Sequence, residues 1–218
     1  MLPWRKGFIG GFLVAACLAL SAGPVSAHPH VWIDLRSTLL FNDRGEITGL
    51  DIHWAFDEFY SLYVVERIDP DGDGKGDRKA LVDLAAQSIK ELKDYRYFTF
   101  ASGDGKAVPY GTVETFDADI KDGRFIMTFT LPFAEPVDPR ESAFTYAAYD
   151  PSYYIEIVHA EGGGVEFAGT GATGCASRVE EPDPSIEQVS LAAALDRNQT
   201  AASGFGAFFA ETVHVTCG

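Results

Sequence analysis

Apolar residues recur at every second position along most of this chain, and at helical spacing in one early stretch. In "HVWIDLRSTLLF" one strand face holds Val31, Ile33, Leu35, Leu39 and Phe41, and the other His30, Trp32, Asp34, Arg36 and Thr38. "LDIHWAFD" returns with Leu50, Ile52, Trp54 and Phe56 apolar and Asp51, His53 and Asp57 polar, which predicts a hairpin around "NDRG". A second strand pair is expected around "SGDGK". A third has Asp122-Gly123 at its tip, where Lys121 faces Arg124 and Phe116, Ala118 and Ile120 face Phe129, Met127 and Phe125. "SAFTYAAYD", "YYIEIVHAE" and "AETVHVTC" read as further strands. "DEFYSLYVVERI" and "RKALVDLAAQSIKELKD" read as helices, the second with Leu81, Leu84, Ala85, Ser88, Ile89 and Leu92 on one side. Residues 178–206 read as an exposed excursion with one short helix around "IEQVSLAAALD". The expected fold class is α+β: a mainly antiparallel, sandwich-like β domain with a helix-loop-helix inserted at about 57–94.

The first residues change the setting. Arg5 and Lys6 precede the apolar run "GFIGGFLVAACLALSA" and the small residues Val25, Ser26 and Ala27. This is the pattern of a secretory signal peptide over residues 1–27, cleaved before His28, and the run is too short for a separate membrane span. A lipoprotein reading, with "VAAC" ending at Cys17, stays open. Residues 28–218 then form a single periplasmic domain with no direct membrane span. The formal charge of −15 becomes −17 without Arg5 and Lys6, which argues against nucleic-acid partners and is compatible with binding cations. Cys175 and Cys217 survive cleavage, and in an oxidising compartment they are expected to form a disulfide.

Between the helices, "DPDGDGKGDRKA" places Asp69, Asp71 and Asp73 at positions one, three and five of a calcium loop, with Gly74 at the sharp sixth position. Ala80 stands where a bidentate Glu belongs, so any calcium site is weak, with Asp77 or Asp83 as partial substitutes. A solvated acidic turn is the plain alternative.

The polar face of the first hairpin carries the candidate transition-metal chemistry. Because both apolar sets must share a face, a tight turn at "NDRG" sets Asp34 opposite His53, His30 opposite Asp57 and Arg36 opposite Asp51. With the new N-terminus at His28, the hairpin end then collects imidazoles and carboxylates suited to Ni²⁺, Co²⁺, Zn²⁺ or Cu²⁺. Cross-strand Asp–His and Asp–Arg pairs are also ordinary packing devices. His159 and His214 read as surface or packing residues. No Ser/His/Asp or Cys/His arrangement, P-loop or dinucleotide fingerprint occurs, so no enzyme activity is expected from these motifs.

"AHPHVWIDLRSTLLFNDRGEITGLDIHWAFDEFYSLYVVE", the "DPDGDG" loop, "YDPSYYIEI" and "GFGAFFAETVHVTC" resemble domain of unknown function 1007, over nearly the whole chain after the leader. That resemblance implies the periplasmic component of an uncharacterised ABC-type transport system, associated with nickel/cobalt-type permeases. It points to His28 and His30 from the H-P-H start, and to Asp57 and Glu58 from W-x-F-D-E. The expectation is an accessory or binding protein that passes a divalent transition metal to a membrane permease. Two alternatives are a calcium-stabilised interaction module without a transition-metal role, and a copper enzyme using the N-terminal histidine.

Overall fold

The computed structural model describes residues 29–69, 72, 77–195, 199 and 201–218. It is a mixed α+β fold with mostly antiparallel pairing in two sheets. Strand β1 (Val31–Phe41) pairs with β2 (Ile47–Phe56), and β2 with β6 (Arg124–Val137), which also takes β5 (Phe116–Lys121). The other edge of β1 is covered in succession by two parallel strands, β8 (Ile155–His159) and β9 (Val165–Ala168). The second sheet runs β10 (Cys175–Glu180), β11 (Thr212–Cys217), β7 (Phe144–Ala148), β3 (Thr99–Gly103) and β4 (Lys106–Ala107). The buried side chains of both sheets form one apolar core.

The first hairpin keeps the expected faces but not the expected register. Phe41 pairs with Ile47 beside the turn, and Leu40 with Gly49, so Thr48 is an extra residue bulged out of β2. Without it, the loop would align Leu50, Ile52, Trp54 and Phe56 with the polar face of β1. The bulge turns them inward, so Ile47 and Leu50 are both buried. Gly49 is needed there, since a Cβ would lie 2.6 Å from the Leu131 carbonyl oxygen. Beyond the bulge every pair is displaced by two residues from the tight-turn expectation. Arg36 faces His53, Thr38 faces Asp51 and Asp34 faces Ala55.

The two shorter hairpins follow the sequence. Asp104-Gly105 and Asp122-Gly123 all have positive φ, the geometry whose twist suits a two-residue connection. Lys121 pairs with Arg124, Ile120 with Phe125, Ala118 with Met127 and Phe116 with Phe129, as predicted. β9 and residues 175–180 were not expected as strands. β10 therefore takes Arg178–Glu180 out of the predicted excursion, which keeps helix α3 (Ile186–Ala194) behind a Ser185–Gln188 capping box.

Helices α1 (Glu58–Ile68) and α2 (Arg78–Leu92) lie between β2 and β3, where two helices were expected. α2 buries Leu81, Ala85 and Ile89, one residue per turn, and Arg78 anchors its start by pairing with both carboxylate oxygens of Asp117 at 2.6 and 2.8 Å. After α2 the chain makes an unusual turn in which Arg96, Tyr97 and Phe98 all have φ of 50 to 56°. Such left-handed backbone costs non-glycine residues about 1–3 kcal/mol each, so the surroundings must hold it. Arg96 donates to the Val108 carbonyl (3.1 Å) over the Tyr110 ring, Tyr97 is buried, and the Phe98 carbonyl accepts from Tyr149 (2.9 Å).

Two contacts fasten the end of the chain. Cys175 and Cys217 are directly opposed on β10 and β11, with Cα atoms 4.0 Å apart, and form the expected disulfide. Glu211 accepts from both the backbone N–H (2.6 Å) and the ring Nδ1 (2.7 Å) of His159, which is buried as a packing residue. Burial pushes the Glu211 carboxyl up, but the two His159 donors outweigh it and hold the group below the usual carboxylate range.

Replacing Cys175 and Cys217 by alanine frees a loop spanning 42 residues, and should cost about 4 kcal/mol in the chain-entropy model, read as a lower denaturation midpoint with an m-value that rises because the unfolded chain is less compact. A depressed carboxyl contributes stability above its unfolded pKa of about 4.3 and loses it as pH falls through the folded value. Glu211→Gln should therefore lower the melting temperature at pH 7, with the gap to wild type narrowing below about pH 4. A gap that stays constant into acid would show that the carboxylate charge is not what holds His159.

Candidate functional site at the foot of the first strand

The predicted metal cluster is only partly assembled. His53 faces Arg36 across the ladder, and Asp34 faces Ala55. The carboxylate of Asp34 is taken by Arg124, whose guanidinium also donates to the carbonyls of Phe56 and Ala55, both at 2.6 Å. One side chain on β6 thus ties the ends of β1 and β2 together, and sequence spacing gave no sign of it. Burial holds His53 below the ordinary histidine value, and the nearby charges of Arg36, Lys121 and Arg124 act in the same direction. A neutral imidazole is a competent ligand, but three cations around it oppose a divalent ion. His30 also lies six residues along β1 from Arg36, the partner of His53, roughly 20 Å at strand spacing. His53 and Asp34 therefore leave the predicted ligand set.

Asp57 does not face His30 but Trp32, two residues further along. Asp57 is matched with Trp32: the Trp32 N–H donates to Asp57 Oδ2 (3.0 Å), and the Asp57 N–H donates to the Trp32 carbonyl (2.9 Å). Asp57 Oδ1 accepts from the Tyr60 N–H (2.9 Å), so the same carboxylate caps α1. Glu58 follows as an exposed residue of the first turn, where a negative charge suits the helix dipole.

The other side of His30 is built by a loop the sequence reading did not single out as a site. Asp150 is buried and accepts from the Ser152 N–H and hydroxyl and from the N–H groups of Tyr154 and Ile155, at 2.8 to 3.1 Å. This fixes the turn into β8. The Tyr154 carbonyl accepts from the His30 N–H at 2.9 Å, and the two rings lie 4.7 Å apart. Glu156 is in register with Trp32, which adds a carboxylate beside the same strand. Trp32 and Tyr154 are each 46% exposed, so the foot of β1 presents an aromatic surface flanked by acids. The only hint of this was "YDPSYY", where an Asp-Pro turn precedes a strand.

The remaining predicted residues are less informative. His28, Asp71 and Asp73 lie outside the described residues. Asp69 accepts from the Gly72 N–H (3.0 Å), and Asp77 caps α2 by accepting from the Ala80 N–H (2.8 Å). The described residues contain no group of three or more His, Cys, Asp or Glu side chains placed to hold a metal ion. The described part of the predicted set is thus not by itself a complete metal site. No helix among the described residues is long and apolar enough to cross a membrane.

Comparison with known proteins places the chain. It is 23% identical over 194 residues to an uncharacterized protein of Haemophilus influenzae, covering 88% of this chain and 92% of that one. It is 31% identical over 97 residues to an uncharacterized 15.5 kDa protein encoded in the trpE 3′ region of Spirochaeta aurantia, covering 44% of this chain and 69% of that one. The model of a protein family of unknown function, DUF1007, matches residues 13–217, and the chain belongs to that family.

Proposed function

We propose that this protein is a periplasmic accessory or binding protein for divalent transition-metal transport, working beside a membrane permease of nickel/cobalt type. The observation that carries the reading is the exchange of hydrogen bonds between Trp32 and Asp57. It draws the Asp-Glu of W-x-F-D-E alongside the H-P-H segment, so that His30 is two residues from the partner of Asp57. In the proposal His28 and His30 supply imidazoles, and Asp57 and Glu58 supply carboxylates as ligands or as acceptors that orient the rings. The formal charge of −17 left after removal of Arg5 and Lys6 with the leader favours cation capture. The leader pattern of residues 1–27 supports export, and cleavage after Ala27 would make His28 the N-terminus, whose amine is a further donor.

The acidic loop is a separate proposal. Helices on both sides of residues 69–77 support a calcium-binding, EF-hand-like unit of weak affinity, because Ala80 offers no carboxylate at the twelfth position and Asp77 is already a helix cap.

Titration of the mature protein with Ni²⁺, Co²⁺, Zn²⁺ and Cu²⁺ checks the first reading. A His28/His30 double alanine variant should lose at least tenfold in affinity for the preferred ion, the scale of about 1.4 kcal/mol. His53→Ala and His214→Ala should bind as wild type does. Affinity should fall below about pH 6.5, where imidazole protonates. Equal binding by the double variant would leave these histidines as surface residues. For the loop, calorimetry should give a calcium Kd on the order of 10⁻⁴ to 10⁻³ M, and Asp69→Asn should abolish the heat.

A further inference from the structure

A second place in the molecule has the makings of a binding site, and it does not depend on the metal reading. Between α2 and the inner face of the first sheet lies a cavity of about 280 Å³. Its floor is formed by Ile33, Trp54, Phe125 and Met127, its side by Leu84 and Leu92 of α2, and its end by Tyr95 and Phe98. Apolar cavities of about 150 Å³ already admit a benzene ring, so this space holds a substituted ring.

Its floor contains an unanswered polar group. Trp54 is 2% exposed, yet its indole Nε1 has no hydrogen-bond partner among the described residues. Buried donors are nearly always satisfied, so this one calls for an acceptor. Phe56, Phe98 and Phe129 pack around the indole at ring separations of 5.1 to 6.3 Å. None of these rings offers an acceptor, and the polar side chains of the lining, Tyr60, Ser88, Glu91 and Tyr95, make no direct hydrogen bond to Nε1. We propose that the cavity binds a small neutral apolar molecule, one substituted ring in size, whose single hydrogen-bond acceptor is met by Trp54 Nε1.

Neutrality follows from the lining. It holds no Lys, Arg or His to compensate a buried anion, and its one charged residue is Glu91 on α2. An acceptor of carbonyl or ether type fits these limits, and a carboxylate does not. The end wall is also held in advance of any ligand. The left-handed turn over Arg96–Phe98 is fixed from outside the cavity by the Val108 and Tyr149 backbone contacts, and it sets Phe98 and the 57% exposed Tyr95 at the opening. A strained segment retained where it shapes a cavity is a recurring property of ligand sites.

Acetophenone and α-methylstyrene test the assignment, since they share a shape and differ by a carbonyl oxygen against a methylene. In ¹⁵N-labelled protein, acetophenone should saturably shift the Trp54 indole cross-peak, which is assigned by its loss in Trp54→Phe. One neutral hydrogen bond should make acetophenone bind about three- to tenfold tighter than α-methylstyrene, and Trp54→Phe should bind both equally. Leu84→Trp should fill the cavity and block both probes, with circular dichroism confirming the fold; Ser88→Phe does the same from the next turn if that variant fails to fold. Absence of saturable binding by either probe, or equal binding of the two by the wild type, would overturn the proposal.

Discussion

The single extra residue at Thr48 governs the arrangement of the first sheet. Strand side chains alternate with period two, so a connection that is one residue out would turn the entire apolar row of β2 toward solvent. The bulge corrects that parity between Ile47 and Leu50, and Gly49 lets β2 lie against the Leu131 carbonyl while it does so. Everything that packs on β2 inherits the result. The inward row meets the inward row of β6, α1 starts at the point where β2 ends, and Trp54 enters the space beneath α2.

The same displacement decides which polar groups can cooperate. By moving Arg36 opposite His53, it puts a cation where a carboxylate was expected, and it leaves Asp34 to the guanidinium of Arg124. Arg124 is then a clamp on the two strand ends rather than a surface charge, because two backbone carbonyls and a carboxylate share its donors. At the foot of β1 the displacement has the opposite effect. Trp32 and Asp57 become partners, and one carboxylate serves both the end of the sheet and the start of α1.

The two faces of the sheet at the foot of β1 are thereby given different chemistry. The outer face at the foot of β1 is aromatic and acidic, with His30 held against Tyr154 by a loop organised around Asp150. The inner face beneath α2 is apolar and has one buried donor. The proposals made for the two faces differ in charge for the elementary reason that a buried charge without a partner is far costlier than a buried ring.

Local sequence alone determined the hairpin at Asp122-Gly123, with its register to the residue, since a two-residue turn leaves only one pairing that keeps Phe116, Ala118 and Ile120 on one face with Phe125, Met127 and Phe129. It also determined helices α1 and α2 and the pairing of Cys175 with Cys217, the two cysteines beyond the N-terminal apolar run. The faces of β1 and β2 were legible for the same reason, because alternation survives any shift by two. The shift itself was not legible: a longer turn with a compensating bulge preserves the same pattern, and only packing against β6 selects it. The parallel strands on the far edge of β1, the Asp150 loop, the Arg124 clamp and the cavity floored by Trp54 likewise join residues far apart in the chain. Contacts of that kind carry no period and no spacing, so only the tertiary structure decided them.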